Sequence, residues 1–140
     1  MAVWGVGAYY KGDKIHDKTQ EFINNECACI GWGEENASPI HQMLKSIKVG
    51  DIIYIKSLGL DKASKNKQIH IKAVGVVKDN KPEVVEELGT GIKVKWKEGF
   101  DKIISKNITP EMYRNNTFNN SLYEEYNKNI IEELINAIMK

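Results

Sequence analysis

Lys48-Val49-Gly50-Asp51-Ile52-Ile53-Tyr54-Ile55-Lys56 is the stretch that decides the fold. Gly50 supplies a turn, and the residues after it are β-branched or aromatic almost throughout, the strongest strand signal in the chain. Upstream, Ser38 makes a good N-cap with Pro39 at the first helical position. Ile40, Met43, Leu44 and Ile47 then recur at i, i+3, i+4 and i+7, so this helix has one buried face and stops at Lys48-Val49-Gly50. Downstream, the polar stretch from Leu60 to Lys67 reads as an exposed loop, and Ile69 to Val77 as the next strand.

The same reading extends to both ends. Val3 to Tyr10 reads as a strand ending in a turn at Lys11-Gly12-Asp13, followed by a short helix from about Asp17 to Asn25 with Phe22 and Ile23 as apolar contacts. Cys27-Ala28-Cys29-Ile30-Gly31-Trp32 reads as a buried strand, broken from Gly33 to Ala37. Ile92, Val94 and Trp96 alternate with Lys93, Lys95 and Lys97, which marks a half-buried strand, and Phe100 to Ile104 adds another after Gly99. Ile130, Ile131, Leu134, Ile135, Ile138 and Met139 define an amphipathic helix over about 127–139 that docks on the sheet. About five or six strands with two to three helices, and no regular alternation, predict one α+β domain over residues 1–140 built on a curved or barrel-like sheet. The polar, Asn-rich segment from Thr109 to Asn120 carries no assignable role.

Composition narrows the class of function. The 140 residues hold 20 basic and 19 acidic side chains, a formal net charge of +1. Sequence-independent phosphate binding therefore has little net charge to draw on. Arg114 is the only arginine, so bidentate reading of guanine edges is nearly absent, which argues against a major-groove reader. No secretory signal is evident at the start and no apolar run spans a bilayer, so a cytoplasmic protein without membrane contact is expected. Cys27 and Cys29, two residues apart, suit neither a disulfide within a strand nor a zinc site, and are expected to be buried free thiols.

Most motifs carry no chemistry. Gly5-Val6-Gly7 and Gly31-Trp32-Gly33 are isolated Gly-x-Gly pairs that do not continue into a phosphate-binding loop. His16, His41 and His70 are far apart and lack the spacing of a ligand pair. Glu34-Glu35 and Glu86-Glu87 are adjacent pairs of a solvated loop rather than opposed carboxylates. No cofactor or metal is expected, and no activated nucleophile with a partner base is visible, which argues against an enzyme. What remains is aromatic placement. Trp4 and Trp32 stand beside glycines in strands, and two such indole faces would frame a slot in which a flat base stacks.

Trp4, then Ile30-Gly31-Trp32-Gly33-Glu34-Glu35-Asn36, a helix, and Leu44 through Ser57 with Lys48-Val49-Gly50-Asp51-Ile52-Ile53 at its centre resemble an EVE domain, a branch of the PUA-like superfamily that includes the YTH and ASCH domains. Ala73-Val74-Gly75-Val76-Val77 and Ile92-Lys93-Val94-Lys95-Trp96 resemble the strands that follow in that family, so the likeness covers about residues 2 to 110. It implies a small β-barrel with flanking helices, a pocket at one end, and recognition of a modified base in DNA or RNA. Carried over, Trp4 and Trp32 would be stacking walls with Gly5 and Gly33 beside them, and Asn36 would hydrogen-bond the base edge. Tyr54, Lys56 and Ser57 would pass the pocket, with Lys56 available for a phosphate. A typical second motif carries an arginine that is missing here, where Glu34 and Glu35 stand instead.

The leading expectation is thus a nucleic-acid-binding module that reads a modified base, with any effector activity supplied by a partner protein. A stand-alone sensor of a free nucleotide is the second, favoured by the near-neutral charge and the Glu34-Glu35 pair. An RNA-directed hydrolase of ASCH type is the third, with Lys56 and Tyr54 as candidates.

Overall fold

β-Branched runs and apolar alternation build most of the chain. The computed structural model describes residues 1–11, 14–31, 38–60, 62–65, 67–100, 102–104 and 121–140. Its strands are β1 (Val3–Gly7), β2 (Tyr9–Lys11), β3 (Ile15–Asp17), β4 (Cys27–Ile30), β5 (Ile52–Leu60), β6 (Lys67–Val85), β7 (Gly89–Trp96), β8 (Lys102–Ile104) and β9 (Leu122–Glu124). Its helices are α1 (Thr19–Asn24), α2 (Ser38–Ser46) and α3 (Lys128–Met139). Six strands follow the order β4-β7-β6-β5-β1-β9, β8 joins β6 as a seventh, and β2 with β3 forms a separate hairpin. The chain is α+β and strand-rich. Among the described residues no pairing joins β4 to β9, so the sheet is not closed by hydrogen bonds there.

β1 and β5 run parallel, with Val3 opposite Ile52 and Gly7 opposite Lys56. The long run from Ile52 to Ile55 is apolar without alternation because both of its faces are covered. Ile53 and Ile55 join Trp4 and Val6 on one face, against Phe22 of α1, Leu44 of α2 and Ile47 just after it. Ile52 and Tyr54 join Val3 on the other, against Ile130, Leu134 and Ala137 of α3. Asn127 caps α3, its Oδ1 accepting from the Ile130 amide at 3.0 Å. Lys97 Nζ closes the other end of α3 by donating to the carbonyls of Ala137 and Lys140.

Several expectations are corrected. The first strand ends at Gly7 rather than Tyr10, because Tyr9–Lys11 turns away to pair with Ile15–Asp17. The strand expected over Ile69–Val77 runs from Lys67 to Val85, and its far half pairs with β7. β9 raises the main sheet from the five or six strands expected to seven. The turn at Gly12-Asp13 lies outside the described residues.

The β6–β7 turn depends on backbone that a side chain would disrupt. Gly89 has φ +102°, and a Cβ there would run into the carbonyl oxygen of Ile30 on the neighbouring chain segment. Gly89→Ala should therefore cost about 2–4 kcal/mol in urea unfolding, combining a left-handed backbone penalty with a backbone clash.

Candidate functional site

The Lys48-Val49-Gly50-Asp51 turn ends in a carboxylate that β1 closes over. Asp51 is buried, and its oxygens accept from the Ala2 amide at 3.0 Å, the Trp4 indole Nε1 at 3.0 Å and the Lys48 amide at 2.9 Å. Burial pushes its pKa up, but these three donors and the N-terminal ammonium outweigh burial, so the group lies below the ordinary 3.8. Trp4 is 5 % exposed. The expectation of an indole wall standing open at this position is corrected: the ring packs in the core and its only N–H is committed to Asp51. Its edge still reaches a groove of about 370 Å³ lined by Met1, Ala2, Ser46, Lys48, Asp51 and Glu124. Gly5 is closed off on its other side by the Tyr123 ring, which fills the place a Cβ would take.

Tyr54 lies on the opposite face of the sheet from Trp4, so the two do not line a common cavity. Its hydroxyl is 2.5 Å from that of Tyr123 and donates to Glu125 Oε1 at 2.5 Å. The other oxygen of Glu125 accepts from the Asn127 amide at 3.1 Å, which ties the network to the start of α3. Burial, then the neighbouring Tyr123 and Glu125, hold the Tyr54 phenol well above its usual range. A fully buried hydroxyl between β5, β9 and α3 locks the fold rather than facing a ligand.

Lys56 and Ser57 follow on β5 and are also buried, at 7 % and 6 % exposure. Lys56 Nζ lies 5.8 Å from the centroid of the Tyr123 ring, and burial pushes its pKa down to about 8 from 10.5. Below pH 8 the ammonium is charged in both folded and unfolded chains, and the folded state bears the full burial penalty. As pH rises to 10.5 the folded chain loses this proton first, which relieves the penalty. The stability advantage of Lys56→Met over wild type should therefore shrink by about 3 kcal/mol between pH 8 and 10.5 in urea titrations.

The pairing of β1 with β5 ends at Gly7 and Lys56, and β5 itself runs on to Leu60. Beyond Gly7 the chain passes Ala8 to Tyr9, which is 46 % exposed, and to Tyr10. The Tyr10 ring packs on Gly31, and its hydroxyl donates to the Leu88 carbonyl at 2.6 Å. Gly31 is the last described residue before Trp32, Gly33 and Asn36, and these three predicted site residues lie outside the described residues. α2 then begins at Ser38.

One cluster at this end was not anticipated from the sequence. Lys72 Nζ pairs with Asp17 Oδ2 at 2.5 Å and lies 5.2 Å from the centroid of the Tyr9 ring. The exposed Tyr9-Tyr10 doublet after a glycine-broken strand was the available signal. Elsewhere Cys27 and Cys29 are free and buried, as the sequence suggested, with their sulfurs 3.4 Å apart. Among the described residues no group of three or more His, Cys, Asp or Glu side chains could hold a metal ion. No described helix is long and apolar enough to cross a membrane. A scan against protein-family models finds no match to the chain, and a search of curated proteins finds none either.

Proposed function

We propose that the chain is a nucleic-acid-component binding module that recognises a modified nucleobase, in a flipped nucleotide or a single strand, without covalent chemistry. The site lies next to Gly31, the last described residue before Trp32. Trp32 supplies the stacking face, Asn36 reads the base edge and Gly33 leaves room for the ring, while Lys56 and Ser57, buried in β5, belong to the scaffold. Trp4 and Tyr54 shape the scaffold and do not touch the ligand. The observation that carries this reading is the packing of Gly31 on Tyr10. It sets the residue before Trp32 against Tyr10, three residues past Gly7, where the β1–β5 pairing stops.

The PUA-like assignment belongs to the same proposal. It is supported by the order of β1, α2, the Lys-Val-Gly-Asp turn and β5, and by the bond from Trp4 to Asp51, which links the first motif to the third. Titration with single strands carrying methylated cytosine or methylated adenine, against unmodified strands, tests it through tryptophan fluorescence. Saturable quenching by one modified strand, little changed by salt, is the expected result. Equal binding to all strands, governed by salt alone, contradicts it.

A further inference from the structure

Cys27 and Cys29 are the two cysteines of the chain, and neither serves the binding site proposed above. Both are buried on β4, and the Cys29 thiol donates to the Cys27 sulfur at 3.4 Å. Across the ladder Cys29 faces Gly91, where a Cβ would run into its sulfur, so a glycine keeps the space in which that thiol sits. Among the described residues β4 pairs with β7 alone and forms one edge of the sheet. It therefore deforms, and opens locally, without breaking a second ladder. The chain enters β4 through Glu26, whose φ of +50° lies in the left-handed region, and the Cys27 carbonyl accepts from the Trp96 indole at 3.0 Å.

We propose that Cys27 and Cys29 form a redox modification site: hydrogen peroxide converts the dithiol to a disulfide that shortens β4, and a dithiol reductant restores it. The site stands apart from the binding reading and does not need it. Cys27 is the attacking sulfur. It accepts the bond from Cys29, which outweighs burial and holds its pKa below the ordinary 9.0. The same bond and then burial push the Cys29 thiol up, so it keeps its proton and acts second. In the first step the Cys27 thiolate takes one peroxide oxygen as the O–O bond breaks, giving a sulfenic acid and a hydroxide that takes up the proton Cys27 released. In the second, the Cys29 sulfur attacks the Cys27 sulfur, and the oxygen leaves as water with the Cys29 proton. The two thiols are oxidised by two electrons and the peroxide is reduced to two waters. Two residues of strand span about 6.6 Å, above the roughly 5.5–6 Å that disulfides prefer between Cα atoms. The bond is therefore strained and readily reduced, so the spacing that disfavours a permanent disulfide suits a reversible one.

The test is intact mass spectrometry and thiol titration of the folded chain after hydrogen peroxide at neutral pH. Wild type should lose two hydrogens and both thiols while staying a single chain on a non-reducing gel, and dithiothreitol should reverse the change. Cys29→Ser, whose hydroxyl still donates to Cys27, should stop at a sulfenic acid that dimedone traps. Cys27→Ser should react about tenfold or more slowly than Cys29→Ser, because the thiol left behind keeps its proton. In a proton–nitrogen correlation spectrum, oxidation should move the Trp96 indole peak, whose acceptor is the Cys27 carbonyl, and leave the Trp4 peak in place. Thiols that survive peroxide in the folded chain, oxygen added to sulfur without a disulfide, or a disulfide between chains overturns the proposal, as does a disulfide that leaves the Trp96 peak unmoved. These wild-type results decide the matter even where a serine variant fails to fold.

Discussion

Asp51→Ala should lower unfolding free energy by about 3 kcal/mol or more, because it strips the acceptor from three donors at once. The Trp4 indole N–H is buried and cannot turn to water, and the amides of Ala2 and Lys48 are partly enclosed. Asp51→Asn should recover part of this, since its carbonyl oxygen can still accept from Trp4 and Lys48 while its amide N–H would face the Ala2 donor. The damage is shared, so a double-mutant cycle identifies it: Trp4→Phe removes one orphaned donor, and Trp4→Phe with Asp51→Ala should cost less than the two single changes summed. The pH dependence has a definite sign. The folded pKa of Asp51 is depressed, so its stabilisation is present above pH 3.8 and disappears as pH falls through the lower folded value. Asp51→Ala should lose less stability than wild type over that window, keeping only the acid dependence that groups such as Asp17 still contribute. Urea unfolding at neutral pH and below pH 4 measures both effects.

Trp32→Ala should weaken binding of the modified base by about 10-fold to 100-fold, the loss expected when one aromatic stacking face is removed. Trp4→Phe should leave the affinity within about twofold, since an indole buried among Val6, Ile53 and Leu44 offers a ligand no open face. Its cost should appear in stability instead. The two tryptophans looked equivalent in the sequence, each beside a glycine, and the paired variants separate their roles. Isothermal titration with the best-bound modified strand, alongside urea unfolding of each variant, is the measurement.

Periodicity carried the parts of the fold that were legible. α2 was readable from Ile40, Met43, Leu44 and Ile47, and α3 from its apolar stripe, because burial on one face leaves a 3.6-residue signature. β5 was readable from its β-branched residues. β6 beyond Val77 was not: Lys78 to Glu83 is polar and contains Pro82, and only the partner strand β7 makes it a strand. β9 is three residues long and takes its shape from β1. The role of Trp4 was hidden for a similar reason. A tryptophan between apolar residues reads as a wall or as core, and the choice depended on Asp51, which the chain brings to it only through the parallel pairing of β1 and β5. β6 also carries a bulge at Lys72, since Ile55 pairs with Ala73 and Lys56 with Ile71; the alternation on either side is intact, so no pattern in the residues marks it.

The central claim is that the ligand meets Trp32 and leaves Trp4 untouched. A proton–nitrogen correlation spectrum tests it directly, because each of the 3 tryptophans contributes one indole N–H peak. The indoles of Trp4 and Trp96 donate to Asp51 and to the Cys27 carbonyl inside the protein. On addition of a modified strand, the Trp32 peak should shift and those of Trp4 and Trp96 should hold still. A moving Trp4 peak with a stationary Trp32 peak would contradict the account.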